Sequence, residues 1–138
     1  MNTKQVIIVR KDLKMRAGKS MAMASHASLG AILSCGYYDT SISDGSTLSF
    51  TINFCGHKQR DALTHWLENS FTKICVYVDS EQELLDLDKQ AHDAGLIRCL
   101  ITDNGKTEFN GVPTKTCLAI GPALVEDIDK ITGHLRLA

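Results

Sequence analysis

Between Lys4 and Arg10 the chain reads KQVIIVR, with four β-branched apolar residues in succession. A strand of alternating polarity can leave one face in water, but a continuous apolar run has to be covered on both. This run therefore calls for a sheet with other layers packed on its faces. Three more short runs have the same character: KICVYV (Lys73–Val78), LIRCLIT (Leu96–Thr102) and TCLAIGPA (Thr116–Ala123). Helical patterns lie between them. One starts near Gly18 and runs to about Ser34, rich in alanine and able to pack closely on a sheet. A second, His57–Ser70, places Ala62, Leu63, Trp66 and Leu67 on one stripe. In the third, Glu81–Gly95, Ser80 and Glu83 form a Ser-x-x-Glu capping box and Gly95 stops the helix. The last is a short closing helix that ends at Gly133. Strands alternating with helices predict an α/β sandwich around a mixed sheet of about four strands. LSFTINF (Leu48–Phe54) could add a short strand, and Asp44-Gly45 is a turn candidate within the polar connection Cys35–Ser49.

With 138 residues the chain is read as a single domain spanning 1–138. No stretch approaches the length of a membrane span, and the N-terminal apolar run ends too soon, at Arg10, to be a signal peptide. Five scattered cysteines (Cys35, Cys55, Cys75, Cys99 and Cys117) without a Cys-x-x-Cys pair predict reduced thiols and a cytoplasmic protein. Cys75, Cys99 and Cys117 lie in apolar runs and are expected in the core. The formal net charge is −1, yet Arg10, Lys11, Lys14, Arg16 and Lys19 cluster against Asp12 alone, which permits one positive face. The acidic stretch Asp79–Asp88 has a structural explanation, because its first carboxylates lie at the positive end of a helix.

The segment RAGKSMAMASHA (Arg16–Ala27) contains Gly-Lys-Ser, the ending of a phosphate-binding P-loop. The glycine that must open such a loop would stand at position 13, which is Leu13, so the backbone cradle is missing and a nucleoside triphosphatase is excluded. What remains is Lys19, Met23, His26 and Gly30 on one helical face. Asp12 precedes that helix, and DNGKT (Asp103–Thr107) follows the third strand. Strand ends and helix starts converge on one rim of an open α/β sheet. Lys19, His26, Asp103 and Thr107 could form a hydrolytic site there, although each has an ordinary structural role available as well.

Four motifs in order, VRKDLKMRAGKSMAMASHASLGA (Val9–Ala31), ITDNGKTEF (Ile101–Phe109), TCLAIGPA and DKITGHLRL (Asp129–Leu137), resemble the type-2 peptidyl-tRNA hydrolases. The resemblance covers roughly Lys4–Ser34 and Thr72–Leu137 and leaves a longer non-matching segment at about 35–71. It implies a three-layer α/β/α fold, a homodimer, no metal or organic cofactor, and hydrolysis of the ester between a peptide and the 3′-terminal ribose of tRNA. It places the functional lysine at Lys19, the histidine at His26, the aspartate at Asp103 and the threonine at Thr107. Arg10 and Asp12 match the motif before the helix. Met23 and Glu108 stand where glutamine is usual, Met23 facing the presumed pocket one turn after Lys19.

Ester hydrolysis needs a positioned water, a proton acceptor and positive charge at the forming oxyanion. The expectation is that Lys19 stabilises the oxyanion or the leaving ribose oxygen. Asp103 would orient or deprotonate water, with Thr107 holding that water or the carboxylate. His26 would orient from behind and is the runner-up base, histidine being the side chain that titrates near neutrality. Arg10, Lys11, Lys14 and Arg16 would meet phosphates of the tRNA acceptor end. The alternative is a catalytically weak or inactive tRNA-binding or protein-interaction module on the same scaffold.

Overall fold

The computed structural model describes residues 1–39, 44–54, 56–106 and 108–138, so Cys55 and Thr107 lie outside the described residues. Strand β1 (Thr3–Arg10) is central in a four-stranded sheet with β4 (Lys73–Val78), β5 (Arg98–Asp103) and β6 (Thr114–Leu124), in the order β4-β1-β6-β5. β1 pairs parallel with β4 and antiparallel with β6, and β5 pairs antiparallel with β6. The sheet is therefore mixed: β1, β4 and β5 run one way and β6 runs the other. The four apolar runs of the sequence are its four strands.

Both faces of β1 are covered. Val6 and Ile8 pack with Leu118, Ile120, Leu84 and Ile128, beneath helices α3 (Glu81–Asp93) and α4 (Val125–Thr132). Ile7 and Val9 face Met23, Ala27 and Ala31 of helix α1 (Ala17–Leu33) on the other side. The result is an α/β/α sandwich. Small residues let α1 lie close to the sheet: a side-chain carbon at Gly30 would come within 2.8 Å of Cys99 Sγ. Helix α3 begins as expected, with Ser80 Oγ accepting from Glu83 N–H at 3.1 Å and the Glu83 carboxylate accepting from Asp79 N–H at 2.7 Å.

Several expectations need correcting. Helix α2 (His57–His65) continues as a π turn over Trp66–Ser70. That turn shifts the helical phase, so Trp66 is buried while Leu67 faces solvent. His65 is half-buried, with Nδ1 2.7 Å from Thr3 Oγ1. The expected short strand is present as β3 (Ser49–Ile52), but it pairs with an unexpected strand, β2 (Gly36–Asp39), in a separate hairpin. The Tyr37 and Tyr38 side chains are both exposed, so β2 carries no buried alternation for a sequence reading to detect. The turn at Asp44 forms: its carboxylate accepts from the N–H groups of Ser46 and Thr47, both at 2.9 Å. Of the three cysteines expected in the core, Cys117 is buried and its thiol is pushed up to about 12 by that burial. Cys99 is half-buried, and Cys75 is exposed because α1 lies over β1, β6 and β5 rather than over edge strand β4.

The outer edge of β4 meets the end of the chain. Val76 forms an antiparallel bridge with Leu137, Tyr77 N–H donates to the Arg136 carbonyl at 3.0 Å, and Ala138 N–H donates to the Cys75 carbonyl at 2.9 Å. Among the described residues no helix is long and apolar enough to cross a membrane.

Leu84 has no exposed surface and joins α3 to the sheet. Leu84→Ala is expected to lower stability by about 2–5 kcal/mol, the usual cost of a buried leucine truncation, read as an earlier midpoint in chemical denaturation.

Candidate active site

The parallel strands β1 and β5 end on the same rim of the sheet, at Arg10 and Asp103, and α1 starts there. Arg16 is the N-cap residue of α1. It makes no side-chain cap, and the first turn carries no acidic residue, so the positive end of the helix dipole is left uncompensated within its own helix. Lys19, the third residue of α1, reaches across to β5. Its Nζ donates to Asp103 Oδ1 at 2.9 Å, 84 residues away in sequence. The two side chains are 14% and 9% exposed, which leaves them desolvated on most sides yet open at the rim.

The other oxygen of Asp103 is also engaged. Gly105 N–H donates to Oδ2 at 3.0 Å, an Asx turn set up by the Asp-x-Gly sequence. Gly105 has φ +80°, and a side-chain carbon there would run into the backbone of Val112, so glycine is required twice over. The hydrogen bond from Lys19 is the largest of the effects that hold the Asp103 carboxyl below its ordinary value of 3.8. The Gly105 amide and the nearby His26 act in the same direction, and burial opposes them.

Arg10 and Asp12 form a brace beside this pair. Arg10 Nε and Nη2 donate to the two oxygens of Asp12 at 3.1 and 2.7 Å, and Nη1 donates to the Lys115 carbonyl at 3.0 Å. The guanidinium thus ties the β1–α1 connection to β6, with its side chain only 11% exposed. Lys115 was not legible in the sequence as a partner, because its contribution is a backbone carbonyl. The connection held by this brace also contains Lys14 at φ +51°, a left-handed conformation uncommon for a side-chain-bearing residue.

Lys11, Lys14 and Arg16 are exposed at the same end of the molecule, Lys11 with its ammonium 5.4 Å from the centre of the Tyr77 ring. His26 is exposed, whereas Met23 is only 5% exposed and belongs to the core between α1 and the sheet. The shared face expected for Lys19, Met23 and His26 is divided between these environments. Burial on α1 centres on Ala27 and Ala31, and adjacent residues point about 100° apart, so His26 falls beyond the buried arc. Glu108 is partly exposed just past the Asp103 turn, and Thr107 lies outside the described residues. Among the described residues no group of three or more His, Cys, Asp or Glu side chains is placed to hold a metal ion. The site is an open rim. A cavity of about 290 Å³ lies at the opposite end of the sheet, walled by Ala62, Pro122 and Ile131.

Comparison with known proteins shows the family of the chain. The sequence profile of the family described as Peptidyl-tRNA hydrolase PTH2 matches residues 3–138, a span that includes segment 35–71. The chain belongs to that family. A probable peptidyl-tRNA hydrolase 2 of Drosophila melanogaster is 38% identical over 99% of this chain, which spans 62% of the fly protein's length. Peptidyl-tRNA hydrolases of Methanothermobacter thermautotrophicus and Methanocaldococcus jannaschii are 37% and 36% identical, each over 97% of this chain and 98% of the relative. A solved structure of a protein of unknown function from Agrobacterium tumefaciens str. C58 is similar with a TM-score of 0.56. It covers all of this chain and 98% of its own, and its 11% identity speaks to the fold alone.

A carboxylate with a depressed folded-state pKa contributes stability above its unfolded value and loses it as the pH falls through the folded one. The Asp103 contribution is therefore complete above the ordinary 3.8 and disappears below it. Asp103→Asn is expected to flatten part of the acid-side loss of stability, measured by urea unfolding between about pH 5 and about pH 2.

Proposed function

We infer that this chain is a peptidyl-tRNA hydrolase that cleaves the ester between a peptide, or an N-blocked aminoacyl group, and the 3′ ribose of tRNA, so returning tRNA from aborted translation. The observation that carries the reading is the Lys19–Asp103 pair, half-sheltered at a positive rim in a chain that belongs to the family. The non-catalytic alternative has no observation in its favour, and the relatives described above bear the hydrolase name.

In this reading a water sits against Asp103. Its oxygen attacks the acyl carbon, the bond to the ribose oxygen breaks, and the water's proton passes to that leaving oxygen. Lys19 faces the negative charge that builds on the carbonyl oxygen, where a fixed ammonium in a partly desolvated setting is most effective. A carboxylate held below its ordinary value is a weak base, so Asp103 orients the water more than it strips it. Thr107 keeps the water-holding role implied by the resemblance, and His26 an orienting one. Arg10 and Asp12 hold the loop in place, while Lys11, Lys14 and Arg16 meet the phosphates. Met23 contributes by seating α1, and it does so from the core.

Release of an N-blocked aminoacyl group from tRNA is the direct test. Lys19→Ala and Asp103→Asn are each expected to lower kcat by about 10²–10⁴-fold with the fold intact. A full rate in Lys19→Ala would overturn the assignment. Arg16→Ala is expected to raise KM and to reduce the slope of log K against log salt by about one, measured by titrating binding against salt.

We further propose that the protein is a cytoplasmic homodimer. Leu29 of α1 and Leu67 and Phe71 beside the π turn are each more than half exposed and line one apolar groove with Ile32, a surface that a second copy would cover. Leu67→Asp is expected to convert dimer to monomer in sedimentation velocity.

A further inference from the structure

Gln5 stands in β1 immediately before its apolar run and has no exposed surface, so its amide needs partners inside the protein. It finds them on two different elements. Gln5 Nε2 donates to the Ser28 carbonyl of α1 and to the Gly121 carbonyl of β6, both at 3.2 Å. Ser28 Oγ donates in return to Gln5 Oε1 at 2.6 Å. One side chain thus joins β1, β6 and α1.

The join matters because of what else holds α1. The helix lies on the sheet through Met23, Ala27, Gly30 and Ala31, and the last three permit close approach but offer shallow ridges against sliding. A shift of α1 along its axis by a single residue's rise, about 1.5 Å, would pull the Ser28 carbonyl and hydroxyl away from Gln5 and leave a buried amide without partners. The same shift would move Lys19 relative to Asp103, which belongs to β5 and would stay behind. Ser28 and Lys19 are nine residues apart on one helix, so the two contacts are about 14 Å apart along its axis. The helix transmits position between them as a rigid rod.

We propose that Gln5 and Ser28 are positioning residues for the hydrolytic site, a polar clamp that sets the axial register of α1 and with it the distance from Lys19 to Asp103. The proposal rests on the hydrolase reading only for its consequence in turnover; the clamp itself is a statement about the Lys19–Asp103 contact. Neither residue touches substrate. Their effect passes through the lysine.

The test measures the contact directly. The Asp103 carboxyl is followed by carbon NMR as the pH is lowered, in the native protein and in Ser28→Ala, Ser28→Thr and Gln5→Leu. Lys19 and His26 of α1 and the Gly105 amide are the groups that act on this carboxyl, and only the two on α1 move with the helix. The expected result is a higher titration midpoint in Ser28→Ala and Gln5→Leu, and a native midpoint in Ser28→Thr, which keeps the hydroxyl. In turnover, kcat should fall about tenfold or more in the first two with KM within about twofold, the mark of an interaction lost in the transition state rather than in binding. An unchanged Asp103 midpoint in Ser28→Ala overturns the clamp, including in the case where Gln5→Leu fails to fold. A shifted midpoint in a protein that hydrolyses no peptidyl-tRNA would sustain the clamp and overturn the hydrolase reading instead.

Discussion

Ile8 of β1 and its neighbour Leu118 of β6 have no exposed surface, and the rest of the molecule is arranged to keep them so. A strand pair buried on both faces needs a covering layer on each side, and here helices supply both. It also fixes direction: because β1 and β5 are parallel and flank β6, the carboxyl ends of both open on the same rim. The rim collects Arg10, Asp12, Lys19 and Asp103 because β1 and β5 run the same way and α1 starts beside their ends.

Within that frame the site works by setting two demands against each other. Burial alone would raise the Asp103 carboxyl toward its neutral form; the Lys19 ammonium and the Gly105 amide more than reverse it. A carboxylate that is sheltered and still ionised orients a water well, because its charge is little screened and its geometry is fixed from both oxygens. The shelter also confines the ammonium, so in the proposed mechanism a developing oxyanion would meet a cation that has already lost much of its hydration. Arg10 shows the opposite use of charge. Saturated by Asp12 and the Lys115 carbonyl, it is closer to a rivet than to a ligand, whereas Lys11, Lys14 and Arg16 are more exposed.

The sheet was legible in the sequence because its strands are short, β-branched and apolar, and the α3 cap was legible because a Ser-x-x-Glu box makes its hydrogen bonds locally. The Asp103 turn could likewise be read from Asp-x-Gly. Features that depend on distant parts of the chain were not. Strand β2 gains its pairing from β3 and exposes both tyrosines. Leu67 looked buried until the π turn after α2 changed the phase of the helix. Met23 and His26 share a nominal face with Lys19, yet one is core and the other is surface, since the centre of burial on α1 is decided by the sheet and not by the helix. Gln5 carried no signal in the sequence; the placement of Ser28 and Gly121 gives its amide its partners.

The tail against β4 has a consequence for how copies of this protein can meet. An exposed sheet edge is a template on which another strand can add, the first step of runaway association. Here the outward-pointing Tyr77 N–H and Cys75 carbonyl are already occupied by Arg136 and Ala138. A foreign strand could extend the sheet at that place only after displacing Arg136, Leu137 and Ala138, so this segment acts as a stopper for the edge. At this edge, backbone pairing, which accepts almost any sequence, is thereby disfavoured.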